Sequence, residues 1–237
     1  MNHHTGAPLV YRAFRAFGAP FRFRVMGLEN IMSAGPAVYT ANHLGSLGPI
    51  QAILSVPVRF HPWVIGEMLD PTRAPRYLHD DFVGPELHLN GWVGMAVATT
   101  LSWISVRLLS GAGAIAVDSN RGLIGAAFRH SLDLLGDGRN LLVFPEDEAE
   151  PADPETGMHP FKCGFAELCA IHQRRTGERL PVYPMAVHPG SRMLAIGKAQ
   201  FLQDGANHRQ ALQAACLALR QEVCGLYMEL SNLPKGA

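Results

Sequence analysis

Charged side chains are scarce in this chain. They make up 17% of its 237 residues, below the proportion of about a quarter that is usual in soluble domains. The 20 basic residues are balanced by 20 acidic ones. A nucleic-acid-binding surface needs a basic excess, so this balance argues against a nucleic-acid partner. The 48% of hydrophobic residues instead favours a protein that handles apolar substrates or lies at a membrane surface.

Paired cysteines, metal-binding motifs and a signal peptide are missing as well. The four cysteines have no CxxC spacing, and the eleven histidines form no HExxH or comparable motif. We therefore expect reduced thiols, no metal site and no bound cofactor. The first residues lack the charged-then-apolar order of a secretory signal. The sequence predicts a protein that is cytoplasmic or peripheral at the inner face of the membrane.

Two apolar stretches are candidates for contact with that membrane. In residues 8–18, Val10, Phe14 and Phe17 share one helical face, and arginines lie off it. Such a helix lies in a lipid interface or packs on the domain, and both interpretations are open. We expect an interfacial segment at 1–24 and an α/β domain at 25–237. Residues 91–109 are more apolar still, but Arg107 is costly inside a membrane, which favours a buried or interfacial helix.

Strand-like and helix-like segments alternate through the rest of the chain. Short apolar runs predict strands at 21–26, 37–41, 58–65, 113–118, 140–144, 180–187 and 193–196. Helical periodicity predicts helices that begin at 49 and span 123–136, 161–173 and 207–231. This alternation predicts an α/β fold with a largely parallel sheet flanked by helices. Residues 70–90 show no period and predict an irregular excursion, and Pro181 and Pro184 predict an edge position or a bulge.

One histidine follows a buried strand directly. The strand at 37–41 ends in Asn42 and His43, a Gly/Ser turn follows, and Pro49 opens the next helix. Ligands of open α/β sheets bind at this edge, and a neutral imidazole there can remove a proton from a substrate hydroxyl. The alternative is that His43 only caps the turn.

Seven short motifs then occur in one order along the chain. They are Gly27-Leu-Glu-Asn30, Asn42-His43-x-x-Ser46, Gly113-Ala-Ile-Ala-Val-Asp118, Phe144-Pro145-Glu146, Phe161-Lys162-x-Gly164, Pro181-Val-Tyr-Pro184 and Ile196-Gly-Lys198. Over roughly residues 25–200 this order resembles the glycerolipid acyltransferase superfamily, which contains the 1-acylglycerol-3-phosphate acyltransferases. The resemblance implies the glycerol-3-phosphate acyltransferase-like fold. It also implies an acyl thioester, acyl-CoA or acyl carrier protein, as co-substrate and a lipid or other hydroxyl or amine as acceptor.

The resemblance also implies roles for individual residues. The first family motif is Asn-His-x4-Asp, in which the His is the general base and the Asp orients it. His43 takes the place of that base. The second and third motifs grip the acceptor. The positions that the resemblance assigns to substrate binding are Asn42, Ser46, Asp118, Arg121, Phe144, Pro145, Glu146, Lys162 and Gly164.

The chain departs from the family pattern at three places. Gly48 stands where the orienting Asp belongs, Arg121 is displaced by two positions, and Asp147-Glu-Ala-Glu150 replaces the Gly-Thr-Arg of the third motif. In the Ser-His-Asp template, loss of the orienting carboxylate costs about 10⁴ in rate. We therefore predict that Asp147, or else Glu146 or Asp118, orients His43. Because acids repel phosphate, we predict an uncharged or cationic acceptor rather than a phosphorylated glycerol.

Three functions compete on this basis. The first is an acyltransferase of altered acceptor class, and the second is a catalytically silent relative that binds lipid or acyl thioester. A serine hydrolase using Ser46 is disfavoured because the chain has no GxSxG elbow; Ser46 more simply caps the following helix. Lys162 either meets the phosphates of the thioester donor or is a solvated residue at a helix start.

Overall fold

The computed structural model describes residues 9–32, 35–43, 47–85, 87–117, 121–202 and 208–233. The strands are β1 (Arg24–Met26), β2 (Val38–Ala41), β3 (Phe60–Val64), β4 (Ile115–Ala116), β5 (Asn140–Val143), β6 (Pro181–His188), β7 (Met193–Ile196) and β8 (Gln200–Phe201). The α-helices are α1 (Leu9–Phe17), α2 (Leu47–Ser55), α3 (Ala74–Leu78), α4 (Gly91–Ala112), α5 (Arg121–Gly136), α6 (Gly164–Thr176) and α7 (His208–Ser231).

The strands form one mixed sheet. Its order is β1-β7-β6-β2-β5-β3-β4, and β8 pairs with β6 beside β7. All neighbours are parallel except β6 with β7 and β6 with β8. The predicted α/β class, with a largely parallel sheet, is therefore confirmed. Because β2, β3, β4 and β5 run in one direction, their carboxyl ends meet at the same edge, where ligands of such sheets bind.

Alternate residues of the central strands face two hydrophobic cores. Tyr39 and Leu142 belong to the core that also contains residues of α1 and α2. Their strand neighbours Val38 and Leu141 belong to the core that contains residues of α5, α6 and α7. The period of two along each strand thus buries both faces of the sheet, which explains the continuous apolar runs in the sequence.

The N-terminal helix is attached to the domain by one face. Tyr11 is fully buried in the first core, and Phe14 packs against that core. Arg15 donates to the backbone carbonyls of Ile53 and Val56, at 2.5 and 2.6 Å. The opposite side of α1 remains exposed, so the helix is both packed on the domain and open to a partner.

Two predictions about local structure need correction. The segment at 70–90 is not irregular throughout: α3 and a π-helical turn, His79–Val83, occupy its middle, and Leu78 and Val83 are buried against α4. Burial against a neighbouring helix overrides the weak local pattern. Strand β6 is not at an edge, since it lies between β2 and β7.

Pro184 is tolerated in this central strand because its partner is broken opposite it. Strand β7 ends at Ile196 and β8 begins at Gln200. Between them, the N–H of Gly197 donates to the carbonyl of Pro184 at 2.8 Å. A Cβ at Gly197 would lie 2.7 Å from the proline ring, so glycine leaves room for Pro184. The alternative of a local irregularity is thus the one the structure shows.

Helix α4 is the longest apolar element in the described ranges. By length and composition it could cross a membrane, but most of its surface is exposed rather than buried in the domain. In the chain, α4 follows the helical turns within 66–85, which begin just after the carboxyl end of β3. The segment 66–112 is therefore an excursion that leaves the sheet at β3 and returns at the adjacent strand β4.

Candidate active site

His43 lies at the carboxyl end of β2, between the ends of β5 and β6. Its neighbour Asn42 is fully buried, and its side-chain amide bonds the backbone of Val187 on β6 twice: Nδ2 donates at 3.0 Å and Oδ1 accepts at 2.7 Å. Both polar ends of Asn42 are used in this way. The prediction that Asn42 binds substrate is therefore corrected: it fixes the strand end from which His43 projects.

The His43 ring is partly exposed and has two neighbours. Its Nδ1 lies 3.8 Å from Oε1 of Glu148. Its edge meets the ring of Phe144 at a centroid distance of 5.4 Å and an interplanar angle of 71°. Glu148 and Phe144 together restrict the orientation of the ring. Glu148 faces Nδ1, which leaves the other ring nitrogen, Nε2, on the far side of the ring.

Glu146 holds the backbone of the site. Its Oε1 accepts the N–H of His43 at 2.6 Å, and its Oε2 accepts the N–H of His159 at 2.8 Å. Glu146 also forms a β-bridge with Phe161. The resemblance assigned this carboxylate to the acceptor, but both of its oxygens bind protein backbone. Glu146 therefore positions His43 and ties the loop 147–161 to the end of β2, with Pro145 buried behind it.

Asp147 does not contact His43. Its Oδ1 lies 2.9 Å from Nζ of Lys162, and that hydrogen bond holds the pKa of Asp147 below its usual value. The backbone N–H of Asp147 donates to Pro160, and that of Lys162 to Pro145. The two residues thus close the base of the loop. The carboxylate brought to His43 is that of Glu148, which corrects the assignment of the orienting role to Asp147.

Gly48 stands where the resemblance expects an orienting Asp, and its surroundings exclude a side chain. A Cβ built at Gly48 would lie 2.2 Å from the carbonyl oxygen of His43 and 2.7 Å from that of Asn42. Backbone atoms cannot move aside as a flexible side chain can. The first turn of α2 packs so closely on the end of β2 that only glycine fits, and no carboxylate can reach the imidazole from this position.

The remaining predicted site residues are distributed as follows. Ser46 and Asp118 lie outside the described residues, as does the side chain of Arg121, whose backbone opens α5. Gly164 is the exposed first residue of α6, 3.9 Å from Trp63 as measured from a Cβ at that position. Lys162 is exposed, and its bond to Asp147 makes it a loop-closing residue.

A cavity of about 540 Å³ lies in the excursion that follows β3. Ligand pockets commonly have volumes of about 300–1,000 Å³. It is lined by Glu67, Thr72, Arg73, Arg76, Tyr77, Asp80 and Asp81. Strand β3 is two strands from β2 in the sheet, or about 10 Å at the usual spacing. The charge of Glu148, the acid beside His43, also acts on Tyr77 of the cavity, so the cavity lies near the edge that carries His43.

The charges of this cavity are arranged in pairs with an acidic surplus. Arg73 pairs with Glu67, and Arg76 Nε lies 3.7 Å from Asp80 Oδ2. Asp81 has no arginine among these pairs. Burial raises the pKa of Tyr77 to about 12, with further contributions from the charges of Asp81, Glu148 and Glu67. The phenol therefore stays protonated.

Sequence reasoning missed Glu148, the double role of Glu146 and the cavity. The acidic run at 147–150 was the available signal for Glu148, but only coordinates show which of its carboxylates turns towards the imidazole. Within the described residues, no group of three or more His, Cys, Asp or Glu side chains is arranged to hold a metal ion.

No protein-family model matches the chain, and no curated protein sequence matches it either. Among solved structures, the chain is similar to the 1-acyl-sn-glycerophosphate (LPA) acyltransferase PlsC from Thermotoga maritima. The TM-score is 0.54 and the sequence identity 16%, and the match covers 94% of this chain and 81% of the other. At this identity the likeness shows the fold: the chain folds as a PlsC-like acyltransferase does.

Proposed function

We propose that this chain is an acyltransferase that moves a fatty acyl group from acyl-CoA or acyl carrier protein to a hydroxyl or amine acceptor. The observation that carries the proposal is the imidazole of His43, which projects from the carboxyl end of β2 with Glu148 on its Nδ1 side. The similarity of the fold to that of a solved acyltransferase supports the proposal, as does the location of His43 at the sheet edge where ligands of open α/β sheets bind.

The proposed reaction needs one base and one leaving group. His43 Nε2 removes the proton from the acceptor hydroxyl or amine, and the freed electron pair attacks the thioester carbonyl. The carbon–sulfur bond then breaks, and the imidazolium returns its proton to the departing thiolate. Glu148, 3.8 Å from Nδ1, stabilises the imidazolium that forms, which is one role of the carboxylate in a Ser-His-Asp triad.

We further propose that the acceptor occupies the cavity at 66–81. Both of its arginines already face acids, whereas Asp81 and Glu148 leave negative charge beside Tyr77. A phosphate there is repelled, while an ammonium group is attracted and can also rest on the ring of Tyr77. These features favour an amine-bearing or uncharged acceptor over a phosphorylated glycerol.

Thiol release from acyl-CoA or acyl carrier protein tests the proposal. The wild-type chain should release thiol when a long-chain amine or a monoacylglycerol is added, and more slowly with lysophosphatidic acid. His43→Ala should lower that rate by about 10²-fold or more, because a general base contributes 10²–10⁴. His130→Ala, on the exposed side of α5, is the matched control and should keep full activity.

One result would contradict the proposal. If no donor and acceptor pair gives thiol release, yet acyl-CoA still raises the melting temperature, the chain is an acyl-thioester binding module.

Localisation at the inner face of the membrane stays a prediction of the sequence. Vesicle flotation of a chain that lacks residues 1–20 tests the contribution of α1 to membrane binding.

A further inference from the structure

In helix α4 the buried residues are small and several exposed residues are large and apolar, the reverse of the usual pattern in a soluble domain. Its buried residues are small: Gly94, Ala98 and Ser102 repeat every four residues along one side. This stripe packs towards α3 and the π-helical turn, and Ala98 shares a core with Leu78 and Val83. Val97 and Leu101 pack partly against this core, but the other side of α4 exposes several large apolar residues. A helix that only served to fill a core would show the reverse arrangement.

The outward side carries two tryptophans. Trp92 is 84% exposed and Trp103 is 60% exposed. They are eleven residues apart, which is about three helical turns, so they lie on one face and about 16 Å apart along the axis. Other large apolar residues exposed on this helix are Val93, Met95 and Ile104. Tryptophan is characteristic of the boundary between lipid headgroups and acyl chains.

The polar groups on this side are satisfied within the helix. Thr99 Oγ1 donates to the carbonyl of Met95 at 2.7 Å, and Thr100 Oγ1 to that of Ala96 at 3.0 Å. Hydroxyls bonded in this way leave few polar atoms to desolvate when a helix enters an apolar medium.

The charge of the surface fits an anionic partner. Residues 87–117 contain no acidic residue, and neither do residues 9–28. The guanidinium of Arg107 lies 3.9 Å from the centroid of the Trp103 ring. At the end of α4, Val10 of α1 lies against Gly111, and α1 adds the exposed Leu9 and Arg12. The two helices therefore present apolar and basic groups with no acid among them.

From these observations we infer that the outer face of α4 lies in the headgroup–acyl boundary of an anionic bilayer, with the helix parallel to the membrane plane. A transmembrane orientation is disfavoured because it would strip the stripe at Gly94, Ala98 and Ser102 from its partners in the domain. The inference depends on the residues of α4 and is independent of the chemistry at His43.

Vesicle flotation of the full chain tests this inference. The wild type should float with vesicles of phosphatidylcholine and phosphatidylglycerol and more weakly with phosphatidylcholine alone. The double variant Trp92→Ser/Trp103→Ser should lose about tenfold in the floated fraction, because apolar burial provides the binding free energy. Leu217→Ser, which removes a 55% exposed leucine from α7, is the matched control and should float like the wild type.

A second measurement uses the unmodified chain. Brominated lipids should quench the tryptophan fluorescence of the wild type on vesicles, and this quenching requires that the indoles reach the acyl region. Absence of flotation and quenching, or equal flotation of the double variant, would overturn the inference. So would a dimer in light scattering that the double variant abolishes without vesicle binding, since a second copy then covers α4. Thiol release from a soluble short-chain donor separates these results from the activity of His43.

Discussion

Glu146 binds His43 through the backbone rather than through the imidazole. The 2.6 Å hydrogen bond from the His43 N–H to Oε1 uses one carboxylate oxygen, and the His159 N–H uses the other. The ring of His43 is thus left to Glu148 and the substrate, while its main chain is fixed by the neighbouring strand end. Alignment of His43, the proposed base, therefore depends on a carboxylate that binds only protein backbone.

Glu146→Gln should destabilise the protein and slow the reaction. An amide has one acceptor oxygen, so one of the two backbone donors loses its acceptor, at a cost of about 1–3 kcal/mol. For a domain of this size we expect the melting temperature to fall by roughly 3–10 °C and kcat to fall more than KM rises. Calorimetry and thiol-release kinetics provide the measurements. Glu150→Gln on the same loop is the control. An unchanged melting temperature for Glu146→Gln would contradict the structural role assigned to its two backbone hydrogen bonds.

Substitution of Glu148 and of Asp147 should affect kcat differently. Glu148 faces the imidazole but is exposed, so Glu148→Gln should lower kcat about fivefold, equivalent to about 1 kcal/mol. Asp147→Asn loses the partner of Lys162 instead, and it should leave kcat within about twofold while loosening the loop. Initial rates at saturating donor measure both. A larger loss of kcat in Asp147→Asn than in Glu148→Gln would reverse the roles assigned here.

An aspartate at position 48, where the resemblance expects one, should not produce a better enzyme. The Cβ of Gly48→Asp would collide with the carbonyl oxygens of His43 and Asn42, so the variant should fold poorly and show less activity than the wild type. Gly48→Ala should be affected as strongly, because the clash arises at Cβ. Gly225→Ala on α7, where a Cβ meets nothing within 4 Å, should be neutral or stabilise by about 0.5–1 kcal/mol. Thermal melts decide; a stable and faster Gly48→Asp enzyme would refute the packing argument.

Acceptor choice should respond to Asp81. Asp81→Asn removes negative charge beside Tyr77, so KM for an amine acceptor should rise about three- to tenfold, and KM for a monoacylglycerol should stay nearly constant. Asp133→Asn, an exposed carboxylate on α5, is the matched control. Competition assays with the two acceptors measure the ratio directly. Equal effects on both acceptors would mean that Asp81 supports the fold of the excursion rather than the choice of substrate.

The loop beside the site should weaken in acid. Asp153 accepts hydrogen bonds from the backbone N–H and hydroxyl of Thr156, each 2.9 Å long, and these bonds lower its pKa. Because the folded pKa lies below the unfolded value, the stabilisation is present above about pH 4 and is lost as pH falls through the folded pKa. Asp153→Asn should therefore melt at a lower temperature at pH 7 and lose less on acidification than the wild type. If the melting temperatures of the wild type and of Asp153→Asn fall equally between pH 7 and pH 3, Asp153 makes no such contribution.

Much of the fold follows from local pattern. The apolar runs at 37–41 and 140–144 correspond to β2 and β5 with shifts of one residue at the ends, and the stripe at 207–231 corresponds to α7. Those runs are decided by burial on both faces of a sheet, which sequence records directly. The placement of His43 at a strand end followed from the same pattern. Composition also indicated the apolar surface that α4 exposes.

The remaining features depend on contacts that sequence does not encode locally. The central position of β6 was concealed by Pro184, whose tolerance depends on Gly197 in a different strand. The helical turns at 74–83 are stabilised by burial against α4 rather than by their own periodicity. The choice of Glu148 over Asp147 arises because Lys162, across the loop, takes the latter carboxylate.

The excursion at 66–112 departs from one strand and re-enters through its immediate neighbour, so the sheet remains continuous whatever this insert contains. The proposed lipid-facing helix and the proposed acceptor cavity lie inside this excursion, whereas His43 and Glu146 lie outside it. On the proposed function, a chain with a different excursion would keep the thioester chemistry while its membrane affinity and its acceptor changed.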